Sequence, residues 1–148
     1  MFTDVTPTDA RLDPIKFSVL IVDDDAALRT MVTMVLEDAE WDVLEAKNGL
    51  EALAILESTP RRLVVLLDWM MPEMSGMEVL DVVKADPELA MRHAYILITA
   101  NVAAFSPHLM DLLRELSVPV IAKPFEIEEL LTRVENEARR IGAERAAS

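Results

Sequence analysis

Five polar residues stand at the ends of apolar segments in this sequence, and their side chains are those that metal-assisted phosphoryl chemistry needs. They are Asp23, Asp24, Asp68, Thr99 and Lys123. Carboxylates about 5 Å apart repel by roughly 3 kcal/mol per pair at an effective dielectric of about 20, so a stable group of them needs a cation. Few oxygen ligands open to water suit Mg²⁺, a natural partner for a phosphoryl group. We therefore predict a Mg²⁺ site at which Asp68 is the nucleophile that takes a phosphoryl group, while the metal and Lys123 neutralise the transferred oxygens.

This chemistry depends on five strand-like segments whose ends would meet at one edge of a sheet. The segments are FSVLIV (17–22), WDVLEA (41–46), RLVVLLD (62–68), YILIT (95–99) and VPVIA (118–122). Each is followed by apolar residues at helical spacing, which predicts five strand–helix pairs in strict alternation. Strands that are apolar on both sides indicate a parallel sheet covered by helices on both faces. In such a sheet, ligands bind at the carboxyl ends of the strands.

Capping and breaking residues set the predicted helix boundaries. Asp25 is expected to cap the first helix. The third helix is predicted over 76–84, with Pro87 closing that region. Ser106 followed by Pro107 predicts the start of the fourth helix, because Ser caps and Pro is tolerated in the first turn.

Other reactive side chains have ordinary explanations. An Asp at a strand end, taken alone, is most often a turn former or a helix cap, so the prediction rests on the combination at four strand ends. His93 and His108 are expected at the surface, because two isolated histidines do not make a metal site. Four methionines are expected to fill gaps in the core and loops rather than to bind a ligand: Met70, Met71, Met74 and Met77.

Length and composition indicate one domain with an acidic surface. The chain has 148 residues, 52% of them hydrophobic, and a net charge of −13, which disfavours DNA as a direct partner. Cysteine is absent, in agreement with a cytoplasmic location. Residues 1–16 are predicted to be a flexible arm without signal-peptide character, 17–141 the domain and 142–148 a polar tail. No apolar run approaches the length of a membrane span, so no membrane insertion is expected.

The motifs together resemble the receiver domain of two-component response regulators. The matching stretches are VLIVDDDAALR, VVLLDWMMPEMSGMEVL, YILITA and VIAKPF, which lie within about residues 17–141. An acid pair, D-x-x-M-P-x-x-x-G, a strand-end Thr and K-P-F in this order form a specific combination. The resemblance implies a flavodoxin-like, doubly wound, five-stranded parallel sheet, (βα)5, with strand order 2-1-3-4-5.

The resemblance also implies a role for each site residue. Asp68 would be the phospho-acceptor, supplied by a histidine kinase or a histidine phosphotransfer protein. Mg²⁺ would be held by carboxylates and one backbone carbonyl, and its implied ligands are Asp24, Asp23 through water, Asp68 and the carbonyl of Met70. Thr99 would be the switch hydroxyl, and Lys123 would pair with the phosphoryl oxygen. The Lys123–Pro124 peptide bond is expected to be cis.

Three features of the sequence concern the readout and the lifetime of the phosphoryl group. Many receivers carry an aromatic switch residue three positions before the lysine, where this sequence has Val120. Phe105, in a long loop at 100–105, is a hypothetical substitute. Met70 and Asn101, two positions past Asp68 and Thr99, stand where the family sets water access, and Met70 predicts a long-lived phosphorylated state.

We expect a stand-alone receiver that signals by protein–protein contacts or relays a phosphoryl group. The phosphodonor would dock on the first helix and the 123–125 loop, and the face formed by the fourth helix, fifth strand and fifth helix would serve output or homodimerisation. Turnover chemistry is not expected beyond self-catalysed phosphoryl transfer and autodephosphorylation. Two alternatives stay open: a scaffold that works without phosphorylation, and an aspartyl-nucleophile Mg²⁺ phosphatase with Asp23 as nucleophile.

Overall fold

The five predicted strands form one parallel sheet in the computed structural model, which describes residues 17–147. The strands are β1 (Phe17–Val22), β2 (Val43–Ala46), β3 (Arg62–Asp68), β4 (Ala94–Thr99) and β5 (Val120–Ala122). Their spatial order is β2-β1-β3-β4-β5, which confirms the predicted fold class and strand order. The arm predicted over 1–16 lies outside the described residues.

Two strands begin later than predicted, each for a local reason. The segment before β2 folds back onto the preceding helix, where the Trp41 N–H donates to the carbonyl of Leu36 (3.0 Å). The strand therefore begins at Val43 rather than at Trp41. β5 begins at Val120 because Pro119 has no N–H for the sheet, although its carbonyl still accepts from Leu97 N (2.9 Å).

Six α-helices and a short 3₁₀ turn surround the sheet in the described part of the chain. They are α1 (Ala26–Asp38), α2 (Gly49–Ser58), α3 (Gly76–Ala85), α4 (Pro87–Arg92), the 3₁₀ turn (Val102–Ala104), α5 (Pro107–Glu115) and α6 (Ile127–Ala147). The Asp25 side chain caps α1, and Ser106 caps α5 by accepting from Leu109 N, as predicted. Within 17–147, no helix combines the length and the apolar character that a membrane crossing requires.

Helix α4 was not predicted, because Pro87 was interpreted only as a breaker. Asp86 accepts hydrogen bonds from Glu88 N and Leu89 N, and Pro87 occupies the first turn, where its missing N–H costs nothing. The Asp-Pro pair is therefore a helix start. At the other end of the chain, α6 continues to Ala147, past the boundary predicted at residue 141.

Alternating residues of the central strands supply the two halves of the core. On one face of the sheet, Leu20 and Val65 are fully buried against α2, α3 and α5, and on the other Val19 and Val64 are buried against α1 and α6. Three of the four methionines pack against the first half, as predicted: Met71, Met74 and Met77. Met70 is the exception, because 66% of it is exposed beside the site.

His93 is buried, so the prediction of a surface position was wrong for this residue. Its Nδ1 accepts a hydrogen bond from Leu63 N (3.0 Å), which ties the start of β4 to that of β3. Burial, together with the charge of Arg92, lowers the pKa of His93 to about 4, so the ring stays neutral at physiological pH. His108 is exposed as predicted and contacts Asp81 through Nε2 (2.7 Å).

Candidate functional site

The three acids predicted for the site meet at the carboxyl edge of the sheet. Asp23 and Asp24 directly follow β1, and Asp68 is the last residue of the adjacent strand β3. One carboxylate oxygen from each of the three lies within 4.8 Å of the other two. Asp23 and Asp68 are buried, whereas Asp24 is exposed and faces solvent at the rim. The donor set is therefore small, entirely oxygen and open on one side, which fits a hard divalent cation.

Lys123 directly follows the edge strand β5, and its side chain reaches this acidic cluster. Its backbone N–H donates to the carbonyl of Thr99 (2.8 Å), which extends the β4–β5 pairing by one residue. Its ammonium lies 3.2 Å from Asp23 Oδ2 and 3.4 Å from Asp68 Oδ1. One cation thus bridges the two buried carboxylates. The Lys123–Pro124 peptide bond is cis, as the resemblance implied.

The electrostatics of the cluster are dominated by buried negative charge. Burial, followed by the negative charge of Asp23, raises the pKa of Asp68 to about 6, and the ion pair with Lys123 offsets only part of the shift. Burial alone would lower the pKa of Lys123, but the charges of Asp68 and Asp23 outweigh it and raise the pKa. Lys123 therefore stays protonated, whereas the ionised form of Asp68 is destabilised in the folded protein.

The two oxygens of Asp23 are both engaged within the protein. Oδ1 accepts a hydrogen bond from Asp25 N (2.9 Å), and Oδ2 pairs with Lys123. The Asp23 backbone N–H donates to the carbonyl of Ala46 in β2 (3.1 Å). Asp23 is consequently held by both its side chain and its backbone, more firmly than Asp24 or Asp68.

Thr99 ends β4 one position beyond Ile98, which pairs with Asp68 in the sheet. The residue is buried, and its hydroxyl oxygen accepts a hydrogen bond from Asn101 N (3.1 Å). The hydroxyl oxygen thus accepts from its own loop, and the same hydroxyl can donate its proton to an acceptor at the site. Val120, at the position of the missing aromatic, is partly buried against the core.

The loop after Asp68 folds back tightly onto the backbone of the acceptor strand. Gly76 N donates to the carbonyl of Trp69 (2.8 Å), and a Cβ added at Gly76 would stand 2.5 Å from the carbonyl oxygen of Asp68. Only glycine permits this close approach. Ser75 and Glu78 then form a capping box that starts α3. This contact gives the physical reason for the glycine of the D-x-x-M-P-x-x-x-G motif.

Sequence reasoning missed three sets of supporting contacts. Arg29 donates to the backbone carbonyl of Asp23 (2.6 Å). The Asn48 amide donates to Glu73 in the loop after β3 (3.3 Å). Trp69 and Phe105 make an edge-to-face contact, with ring centroids 5.2 Å apart. None of these contacts follows from local spacing, because each joins residues of different loops or elements.

Comparison with known proteins places the fold and site in a family context. Residues 19–135 match the family model described as the response regulator receiver domain. The chain is 32% identical to the chemotaxis protein CheY of Listeria monocytogenes, over 82% of this chain and 98% of that protein. It also resembles the crystal structure of a CheY-like receiver domain protein from Methanospirillum hungatei, with a TM-score of 0.71 and 32% identity, covering 88% and 98% of the two chains.

Longer relatives match over part of their length. The phosphate regulon transcriptional regulatory protein PhoB of Pseudomonas aeruginosa is 36% identical over 84% of this chain, and the match covers 53% of PhoB. The first curated relatives are thus about twice as long as the stretch that this chain spans.

Replacing Asp68 by Asn is expected to stabilise the protein in the absence of divalent cations. The pKa of Asp68 lies above its unfolded value of 3.8, so the folded wild type loses stability as pH rises from about 4 through 6. In EDTA, Asp68→Asn should raise the free energy of unfolding by about 1–3 kcal/mol at neutral pH and by nearly nothing at about pH 4. Denaturant unfolding at several pH values measures this difference.

The matched control for this measurement is Asp111→Asn, which removes an exposed carboxylate on α5. It should leave the pH dependence of the unfolding free energy unchanged. A stability gain for Asp68→Asn that is equal at both ends of the pH range, or a loss of stability at neutral pH, would contradict the electrostatic account.

Proposed function

The chain belongs to the response regulator receiver domain family, and on that premise we propose that it takes a phosphoryl group onto Asp68 and signals through phosphorylation-dependent protein contacts. The donor is a histidine kinase or a histidine phosphotransfer protein. The observation that carries the proposal is the position of Asp68 at the end of β3, within a cluster of three carboxylates and in contact with Lys123.

The acidic cluster fits Mg²⁺, and we assign its ligands as Asp24, Asp68, Asp23 through water and the backbone carbonyl of Met70. The oxygen-only donor set and the exposed rim at Asp24 support this assignment. When bound, the ion supplies positive charge against the phosphoryl oxygens. The tight loop from Trp69 to Gly76 supports the assignment of the Met70 carbonyl as a ligand, because this loop holds the backbone next to Asp68.

The proposed transfer uses the protein's own groups as follows. A carboxylate oxygen of Asp68 attacks phosphorus, the P–N bond of the donor phosphohistidine breaks, and an aspartyl phosphate forms. Lys123 already touches Asp68 and pairs with a phosphoryl oxygen in the product. The Thr99 hydroxyl, whose oxygen accepts from Asn101 N, donates its proton to another phosphoryl oxygen. Receiver domains are not enzymes with external turnover, and autodephosphorylation of this chain is part of the proposal.

Partner surfaces and location extend the proposal. The donor docks on α1, where Met31 and Met34 expose apolar surface, and on the 123–125 loop. The face formed by α5, β5 and α6 serves output or homodimerisation. The chain works in the cytoplasm. The prediction that DNA is not a direct partner stays a prediction, and relatives named DNA-binding response regulators match over about half of their length.

The two alternatives predict different chemistry. A phosphorylation-independent scaffold has no need of the Lys123 contact with Asp68. An aspartyl-nucleophile phosphatase would use Asp23, but both oxygens of this residue are engaged by Asp25 N and Lys123, which disfavours it as a nucleophile. The receiver function therefore has better support than either.

The proposal predicts a single phosphoryl adduct after incubation with a small phosphodonor and Mg²⁺. Intact-protein mass should show the adduct on the wild type, and neither on Asp68→Asn nor in EDTA. The adduct should persist well beyond seconds, since Met70 is proposed to shield it from water. An adduct that survives Asp68→Asn would move the nucleophile to the acids after β1 and support the phosphatase. No adduct with either the small donor or a phosphorylated histidine phosphotransfer protein would favour the scaffold.

We propose further that Phe105 replaces the missing aromatic switch. Phe105 packs on Trp69, the residue after Asp68, and directly precedes Ser106, the cap of α5. A shift of the loop after Thr99 would thus alter both the Trp69 environment and the start of α5. Phe105→Ala should keep the phosphoryl adduct but lose most of the adduct-induced change in Trp69 fluorescence, measured with Trp41→Phe in the background. An unchanged fluorescence response would contradict this role.

A further inference from the structure

Arg29 makes contacts at the site that neither the proposed metal ligands nor the proposed transfer accounts for. It lies in the first turns of α1, and its Nη1 donates to the backbone carbonyl of Asp23 at 2.6 Å. This carbonyl belongs to the peptide that joins Asp23 to Asp24. The guanidinium therefore holds the peptide plane that leads into Asp24, the exposed acid of the cluster.

The guanidinium is itself fixed from its other side. Its Nε donates to Glu45 Oε1 (3.1 Å), and the hydroxyl of Thr33 donates to Glu45 Oε2 (3.2 Å). Glu45 stands in β2 opposite Ile21 of β1, so it is anchored to the sheet. The Arg29 side chain is only 17% exposed. Two directed contacts from one planar group thus connect α1, β2 and the end of β1.

We propose that Arg29 is a positioning residue that fixes the Asp23–Asp24 peptide and thereby strengthens Mg²⁺ binding. The inference rests on the proposed function, because it assumes that Asp24 is a metal ligand. A supporting group that orients a metal ligand typically contributes about 10- to 100-fold to metal affinity. Arg29 touches no ligand oxygen of the cluster, so it acts through the backbone.

The sign of the effect separates positioning from simple charge. Arg29 is a permanent cation that contacts the backbone of Asp23, so its charge alone weakens the binding of another cation at the cluster. Removing the charge would then tighten Mg²⁺ binding. Loss of positioning would weaken it instead. The two explanations predict opposite changes in the dissociation constant for the same variant.

The experiment measures Mg²⁺ binding to the whole chain by isothermal calorimetry at constant ionic strength. Arg29→Gln should raise the dissociation constant about tenfold. Arg29→Lys should also raise it, by a smaller factor, because a single ammonium cannot reproduce both directed contacts. Arg139→Gln is the matched control, since it removes an exposed arginine paired with Glu135 on α6, and it should leave the dissociation constant unchanged.

A second readout tests whether Arg29 has a merely structural role. With saturating Mg²⁺, the rate of adduct formation in Arg29→Lys should return to near the wild-type rate, since only the affinity is affected. If Arg29→Gln does not fold, Arg29→Lys decides the question alone. An unchanged or lower dissociation constant in the variant that folds would overturn the inference while leaving the proposed function intact. Absence of Mg²⁺ binding in the wild type would overturn the proposed function, and the inference with it.

Discussion

Repulsion among the carboxylates of Asp23, Asp24 and Asp68 is the constraint on which the rest of this structure depends. The parallel sheet brings the ends of β1 and β3 together, so the acids cannot move apart without breaking strand pairing. Lys123 pairs with the two buried acids but does not balance all three charges. Burial, followed by the negative charge of Asp23, therefore raises the pKa of Asp68 despite the pairing with Lys123. A divalent cation at the open rim would neutralise the remainder, which links metal binding, acceptor charge and stability in one site.

The surroundings of the cluster are rigid where the acids must be held and less regular where a signal would leave. β1 and β4 are buried along their whole length and β3 along all but its first residue, and Gly76 lets the next loop lie directly against Asp68. On the other side, Thr99 leads into a loop with only a short 3₁₀ turn before α5. The Trp69–Phe105 contact joins this loop to the acceptor strand. A change at Asp68 therefore has a direct physical route to α5.

Much of the fold and site was predictable because the signals are local. An apolar segment that ends in a carboxylate, as at Asp68, predicts both a buried strand and the edge of the sheet at which the carboxylate lies. Caps such as Asp25 and Ser106 are likewise visible in a few consecutive residues. The combination of motifs added the roles of Thr99, Lys123 and Met70, which single residues could not supply and which stay proposals here.

What sequence reasoning missed depends on contacts between distant residues. The burial of His93 follows from the N–H of Leu63, thirty residues away, which no spacing rule anticipates. The contacts of Arg29 depend on β2, which places Glu45 beside α1. The error at α4 was different, because the Asp86-Pro87 pair is a local helix start that was interpreted as an end.

The most direct test of the account measures how Mg²⁺ changes the free energy of unfolding of the wild type and of Asp24→Asn at neutral pH. If the cation completes the carboxylate cluster, Mg²⁺ at one hundred times its dissociation constant should stabilise the wild type by about 2.7 kcal/mol. Asp24→Asn should lose most of this gain. Equal stabilisation of both proteins, or none of the wild type, would contradict the claim that these acids form a cation site.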